Sequence, residues 1–179
     1  ASGIAHERGL ITVDEFGRTS CKGVWALGDA CNTYQLKHVA NAEAKAVANN
    51  VLHPDTLTPL PHDYVPAGIF THPQIATVGL TEEQARAQSD SVTVKVQKYG
   101  DVAFGWAMED ITGLVKLIGD KETGKLLGAH IIGPQATTLI QQLITAMVWG
   151  IGYRELATKQ YWIHPALPEV IENALLGLE

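Results

Sequence analysis

Two side chains near the end of the sequence, His164 and Glu169, are of types that transfer protons in enzymes, and they stand five residues apart. An imidazole moves protons efficiently only when its tautomer is fixed, and a carboxylate on one ring nitrogen fixes it. Pro165 keeps His164 out of helical geometry, whereas Pro168 suits the first position of a helix and puts Glu169 in its opening turn. The spacing predicts a rigid corner that holds an acid–base pair. The alternative is a His-Pro turn with a purely structural role.

A second candidate is the turn Gly28-Asp29-Ala30, which follows a short apolar run at residues 24–27. That run predicts a strand, and an alanine-rich helix is expected to open near Lys37. In open α/β sheets the end of a strand followed by a helix binds polar ligands, because an aspartate accepts from a sugar hydroxyl and helix amides face an electron-rich oxygen. Gly-Asp turns are also common where nothing binds, so both interpretations stay open at this point.

The other candidate ligands form no recognisable metal or redox motif. Cys21 and Cys31 are ten residues apart, which fits neither a CxxC motif nor a zinc knuckle, so we expect both to be packing residues. His53, His62 and His72 occur at irregular intervals and without an HExxH motif, which indicates solvated loop histidines. We therefore expect no metal site.

The composition favours a soluble, globular protein and argues against nucleic acid as a partner. The chain has 179 residues, of which 46% are hydrophobic, and a formal net charge of -6 with only 13 Lys and Arg. These basic residues form no stripe that would follow a phosphate backbone. No apolar run approaches the ~20 residues that span a bilayer, so we expect a cytosolic protein. Because the sequence enters turn and strand material without an initiator methionine, we expect it to be part of a longer protein.

The elements expected around these candidates fall on two sides of a boundary. The stretch 49–66 carries four prolines among polar residues, which places the boundary near Asp63. Before it, a strand at 24–27 is followed by a helix from about His38 to Leu52.

After the boundary the pattern changes to an α+β arrangement. Thr81 and Gln84 predict a capping box at the start of a short helix. Valines at 92, 94 and 96 alternate with polar residues and predict a half-buried strand. The other expected elements are a strand at 75–78, a hairpin of 114–118 with 126–132, one helix over 135–149 and a last helix over 168–178. Both long helices carry apolar faces, which we expect to be covered by a second copy of the chain.

Taken in order, these segments resemble the carboxyl-terminal half of the FAD-dependent pyridine nucleotide disulfide oxidoreductases, which include glutathione reductase and dihydrolipoamide dehydrogenase. The resemblance covers nearly the whole chain, and motifs in a fixed order are more specific than any one of them. The matching stretches are residues 23–30, 36–40, 65–66, 70–81, 124–133, His164-Pro165 and Glu169.

The resemblance implies the end of an α/β FAD-binding domain over residues 1–63. It also implies an α+β interface domain over residues 64–179, in which an antiparallel sheet flanked by helices forms a homodimer. In such enzymes electrons pass from NADPH through FAD to a cysteine pair and then to a substrate disulfide.

The resemblance also implies roles for particular residues. Asp29, after Gly28, would bind the ribityl chain of the flavin. Lys37 and His38 would lie beside the pyrimidine end of the isoalloxazine, where a positive helix terminus favours the anionic reduced flavin. His164 would be the acid–base residue and Glu169 its orienting partner, and both would act in the active site of the partner subunit.

Within the family, residues 101–110 and 161–170 are most similar to the branch that reduces mycothione, a low-molecular-weight disulfide. Trp162 would then either line the substrate cleft or lie buried beneath the corner. The sequence has no GxGxxG and no closely spaced cysteine pair, so we expect the chain alone to be inactive and to bind FAD weakly. The alternatives are a non-catalytic dimerisation or binding module and a glutathione reductase-like or dihydrolipoamide dehydrogenase-like branch.

Overall fold

The fold comes from a computed structural model, which describes residues 3–178. The contacts divide the chain into two units, one ending at Asp63 and the other beginning at Tyr64. In the described part of the first unit, the elements are β1 (His6–Glu7), β2 (Leu10–Ile11) and α1 (Lys37–Leu52). In the described part of the second they are β3 (Ala67–Ile69), β4 (Ile75–Gly79), α2 (Glu82–Arg86), β5 (Val92–Lys98), α3 (Ala103–Ala107), β6 (Leu114–Asp120), β7 (Leu126–Ile132), α4 (Ala136–Leu139), α5 (Gln141–Trp149), α6 (Tyr153–Thr158) and α7 (Glu169–Leu176).

In the first unit, the expected helix is confirmed as α1, whose buried face includes Val39, Ala46 and Val47. The expected strand at 24–27 is wrong, because only Trp25 makes a bridge, with Arg18. Tight turns with positive φ at Gly17 and Gly23 bracket this pairing, so the two segments run side by side too briefly to form a ladder.

The second unit confirms the α+β prediction of an antiparallel sheet flanked by helices. In its described part, five antiparallel strands lie in the order β3-β4-β7-β6-β5. The expected hairpin is β6–β7, in which Gly124 supplies a left-handed residue with φ of 69°. Helix α7 packs against β5 and β6, and α5 packs against β7.

The start of α2 confirms the predicted capping box. The Thr81 hydroxyl accepts from the Gln84 amide at 3.2 Å, and the Gln84 side chain accepts from the Thr81 amide at 2.9 Å. Two of the amides at this helix start are therefore satisfied by local contacts.

Strand β5 forms where expected, but its faces are not buried as the valine alternation predicted. Val96 is 49% exposed, whereas Gln97 is 8% exposed. Lys95, on the same face as Gln97, lies against Gly177, just past the end of α7. Helix α7 therefore covers the face with the polar side chains, while Val92 on the other face packs with Ala85 of α2. Gln97 tolerates burial because its amide donates to the Lys98 carbonyl.

The prediction of one continuous helix over 135–149 is wrong, because the structure has α4 and α5 with a break at Ile140. At the break the Leu143 amide bonds to the Ile140 carbonyl at 3.0 Å, a tighter three-residue step. The Gln142 side chain donates to the Leu139 carbonyl at 3.4 Å, which gives that carbonyl a partner. A local side-chain bond of this kind is not visible in hydrophobic periodicity.

The expectation that the long apolar faces need cover from a second copy is also wrong. The last helix forms close to the predicted range, but the residues of its predicted apolar face, and most of those in α4 and α5, are buried within the unit's own core. Val148 is the exception in the stripe, at 57% exposure. The sheet itself covers these faces. Fully buried members of this core include Val115, Leu117, Leu143, Val170, Ile171 and Leu175.

Candidate functional site

The structure brings His164 and Glu169 together at the corner before α7. His164 Nδ1 lies 2.7 Å from Glu169 Oε1, and the other carboxylate oxygen accepts from the Ala166 amide at 3.0 Å. Pro168 is the N-cap residue and Glu169 the first residue of the helix, so the helix begins one residue later than predicted. The carboxylate is thus fixed by the backbone on one side and meets the imidazole on the other.

The geometry of this pair determines which ring nitrogen of His164 carries the proton in the neutral imidazole. An ionised carboxylate can only accept a hydrogen bond, so His164 donates from Nδ1 and its Nε2 carries the lone pair in the neutral ring. The hydrogen bond from His164, followed by that from the Ala166 amide, holds the pKa of Glu169 below its usual value. The His164 side chain is 68% exposed and that of Glu169 only 16%. The imidazole therefore presents its second nitrogen to the surroundings.

The segment before His164 is anchored by one of its two aromatic residues. Trp162 packs against the core, and its Nε1 donates to the Ala157 carbonyl at 2.9 Å. This half-buried, hydrogen-bonded position favours the packing role among the two alternatives for Trp162. Tyr161 and Ile163, on either side of it, are 103% and 76% exposed.

In the first unit, Gly28, Asp29 and Ala30 form a 3₁₀ turn that packs on α1. Gly28 has a φ of 68°, and a Cβ at this position would lie 3.2 Å from the Ala40 Cβ, so both conformation and space favour glycine. The Asp29 side chain is exposed. The turn therefore places the exposed Asp29 carboxylate next to the point where the backbone of Gly28 lies close to α1.

Lys37 and His38 are exposed in the first turn of α1. The N-cap residue is Leu36, which has no side-chain acceptor for the amides of that turn. The positive end of the helix dipole is consequently not neutralised by a capping side chain.

A residue that sequence reasoning missed links these parts of the first unit. Glu43 is fully buried on α1 and accepts hydrogen bonds from the Gly28 amide and the Asn32 side chain. His62 Nε2 lies 2.6 Å from a Glu43 oxygen, so the expectation that His62 is simply a solvated loop histidine is wrong. The signal was a glutamate on the same helical face as buried Val39 and Ala46.

The remaining candidate ligands add no metal site. Within residues 3–178, no group of three or more His, Cys, Asp or Glu is placed to hold a metal ion. Cys31 is half-buried, and burial followed by the nearby Glu43 raises the pKa of its thiol. In the same described range, no helix is long and apolar enough to cross a bilayer.

Comparison with known proteins gives the family. Residues 65–175 match the dimerisation domain of the pyridine nucleotide-disulphide oxidoreductases, and residues 1–46 match the pyridine nucleotide-disulphide oxidoreductase model. The chain belongs to the pyridine nucleotide-disulphide oxidoreductase family. The resemblance on which the sequence analysis depended is therefore confirmed.

Relatives within the family include mycothione reductase from Mycobacterium tuberculosis, which is 57% identical over 99% of this chain. Dihydrolipoyl dehydrogenase from Corynebacterium glutamicum is 34% identical over 96% of the chain. The chain spans 39% and 37% of these two proteins, respectively.

Solved structures of family members superpose on nearly the whole chain. The HOCl-induced flavoprotein disulfide reductase RclA from Escherichia coli matches with a TM-score of 0.89 at 26% identity, over 99% of this chain and 41% of its own. LpdA from Mycobacterium tuberculosis matches with a TM-score of 0.85 at 28% identity, over 97% of this chain and 38% of its own.

Proposed function

We propose that this chain is the carboxyl-terminal part of an NADPH-dependent flavoprotein disulfide reductase. In this proposal the residues up to Asp63 complete an FAD-binding domain, and those from Tyr64 form the interface domain of a homodimer. The observation that carries the proposal is the His164–Glu169 pair, with 2.7 Å between Nδ1 and Oε1, inside a family dimerisation domain.

His164 is the acid–base residue in this proposal. When a thiolate leaves a disulfide it must be protonated, and an imidazolium with an exposed Nε2 can donate that proton. Glu169 stabilises the charged ring and fixes the proton on Nδ1, so that Nε2 is the nitrogen that gains and loses a proton. Because His164 is exposed on its own unit, the disulfide would lie between it and a partner copy.

The turn at Gly28 and the start of α1 fit a flavin by the chemistry of their groups. FAD, when bound, passes electrons from the nicotinamide to a cysteine pair that lies outside this chain. Asp29 offers an exposed carboxylate that accepts from ribityl hydroxyls, and Gly28 allows a close approach of backbone. The helix start at Lys37 and His38 favours negative charge at the pyrimidine end of the ring.

Large exposed apolar side chains in the second unit support the homodimer. They differ from the faces proposed from sequence, which the unit covers by itself. Apolar side chains that one copy leaves in water can be buried when a second copy binds over them. The most exposed are Phe70, Trp106, Ile111, Trp149, Tyr161 and Ile163.

Mycothione is the substrate we propose, because mycothione reductase is 57% identical to this chain, whereas dihydrolipoyl dehydrogenase relatives are 34–37% identical to it. The test uses the complete protein that contains this chain. Its flavin content is measured, and oxidation of NADPH is followed separately with mycothione disulfide, glutathione disulfide and lipoamide. Preferential turnover of mycothione disulfide by a yellow dimer supports the proposal. A colourless protein contradicts the flavoprotein assignment, and preference for lipoamide contradicts only the substrate.

A further inference from the structure

Glu43 is a buried carboxylate to which the proposed chemistry gives no role. It is the seventh residue of α1, and its side chain is fully buried. An ionised carboxylate is costly to bury unless several donors satisfy it. The groups that meet it therefore indicate what it holds in place.

Three donors converge on the two oxygens of Glu43. The Gly28 amide donates to Oε2 at 2.5 Å, and Asn32 Nδ2 donates to Oε1 at 2.8 Å. His62 Nε2 lies 2.6 Å from Oε1, and its ring is stacked at a tilt on Tyr34, with centroids 5.2 Å apart. We refer to Gly28, Asn32, Glu43 and His62 as the Glu43 clamp.

The clamp fixes the turn on both sides of Asp29. Gly28 comes directly before Asp29, and Asn32 comes three residues after it. The Gly28 carbonyl also accepts from the Cys31 amide at 3.0 Å and the Asn32 amide at 3.2 Å, so the turn is closed internally. One carboxylate on the helix therefore holds both ends of the segment that presents the Asp29 side chain.

We propose that Glu43 is a positioning residue for FAD, acting through the turn from Gly28 to Asn32. This inference rests on the proposed flavin site at Asp29. Without the clamp, Asp29 samples more orientations relative to α1. FAD binding then carries the entropic cost of ordering the turn, which weakens it. Glu43 itself is fully buried and acts only through the residues it holds.

The test is Glu43→Gln in the complete protein. Glutamine keeps the size of the side chain but replaces one acceptor oxygen with a donating NH₂ group, which opposes the donors of the clamp. Hydrogen bonds to a charged group are strong enough that their loss should accelerate FAD release roughly 10- to 100-fold. Release is followed by the fluorescence of freed flavin. Amide hydrogen exchange at residues 28–32 in the apoprotein should become faster.

Asn50→Leu is the matched control. Asn50 is also fully buried on α1, two turns after Glu43, and makes three hydrogen bonds, to the Phe16 carbonyl and to the amide and carbonyl of Thr58. This variant should lower the melting temperature by a similar amount while leaving FAD release and exchange at residues 28–32 near the wild-type values.

The outcomes separate the inference from the function on which it rests. If the wild type contains flavin and Glu43→Gln releases it at the same rate, the inference is overturned and the proposed function is not. The inference is also overturned if Asn50→Leu accelerates FAD release as much as Glu43→Gln does. A wild type without flavin overturns the proposed function and the inference with it. If Glu43→Gln fails to fold, Asn32→Ala removes one donor of the clamp, and unchanged FAD release in that variant overturns the inference.

Discussion

Replacing Glu169 with glutamine tests whether the carboxylate acts through His164. In the structure one Glu169 oxygen accepts from the Ala166 amide and the other meets Nδ1 of His164. Glutamine can keep the first bond with its carbonyl oxygen, which turns its NH₂ group toward Nδ1. Because that group only donates, Nδ1 must accept, and the imidazole proton moves to Nε2. The exposed nitrogen is then in the wrong state to accept a proton.

The expected loss follows from the strength of the bond that disappears. A hydrogen bond to a charged group contributes about 1.5–3 kcal/mol. If all of it stabilises the transition state, disulfide reduction slows roughly 10- to 150-fold, since about 1.4 kcal/mol corresponds to a factor of ten. That is less than the ~10²–10⁴-fold loss expected for His164→Ala, which removes the acid–base group itself.

The assay compares two activities of the complete protein. If His164 is the acid–base residue, turnover of the disulfide depends on its proton, whereas electron transfer from NADPH to a quinone or dye does not, so only the first activity should fall. Glu172→Gln is the control, because Glu172 lies one turn further along α7 and should leave both activities unchanged.

A double variant decides whether the two residues act as one unit. If Glu169 acts through His164, adding Glu169→Gln to His164→Ala should cause no further loss of disulfide reduction. Losses that multiply would refute this reasoning, because they would require an effect of Glu169 that does not pass through the imidazole. An equal fall in dye reduction would show that His164 maintains structure.

Three further predictions concern stability and the corner. Folding lowers the pKa of Glu169, so the carboxylate contributes fully to stability above its usual pKa of 4.5, and this contribution is lost as the pH falls through the lower pKa of the folded state. The difference in melting temperature between wild type and Glu169→Gln should therefore shrink on acidification over that range. A constant difference would contradict the assignment. Gly128→Ala would put a Cβ 2.0 Å from the Leu80 carbonyl oxygen and should cost roughly 2–4 kcal/mol in unfolding free energy, whereas Gly124→Ala, with φ of 69° and open space, should cost about 1 kcal/mol. Trp162→Leu should lower thermal stability and leave KM for the disulfide unchanged. Tyr161→Leu is the control, because Tyr161 is fully exposed. A raised KM at unchanged stability would indicate that Trp162 lines the substrate cleft.

Features determined by neighbouring residues were predictable from the sequence. The corner at His164 follows from Pro165 and Pro168, and the start of α2 follows from Thr81 and Gln84, because each depends on contacts within about five residues. The hairpin β6–β7 was predictable for the same reason, since a short loop with a glycine joins two apolar runs.

Features that depend on distant partners were not predictable. The burial of the polar face of β5 depends on where α7 lies, and the two elements are separated by about 70 residues of sequence. The hydrophobic alternation correctly indicated a strand there, but it did not indicate that a helix covers the polar face too. The polar partners of Glu43 likewise come from residues 28, 32 and 62, and no local pattern joins them. For the faces of β5 and the partners of Glu43, only the structure shows which side chains are buried and what they contact.

The two histidine–carboxylate pairs in this chain show why such a pair does not by itself predict acid–base chemistry. Glu43 and Glu169 each accept a backbone amide on one oxygen and meet an imidazole on the other. Glu43 is fully buried and binds Asn32 as well, and the His62 side chain is half as exposed as that of His164, at 35% against 68%. Because several donors already satisfy the buried Glu43 carboxylate, His62 serves there as one more structural contact. At the corner, the same arrangement holds an imidazole that is mostly exposed, and that difference in access supports the proton-transfer role that we propose for His164.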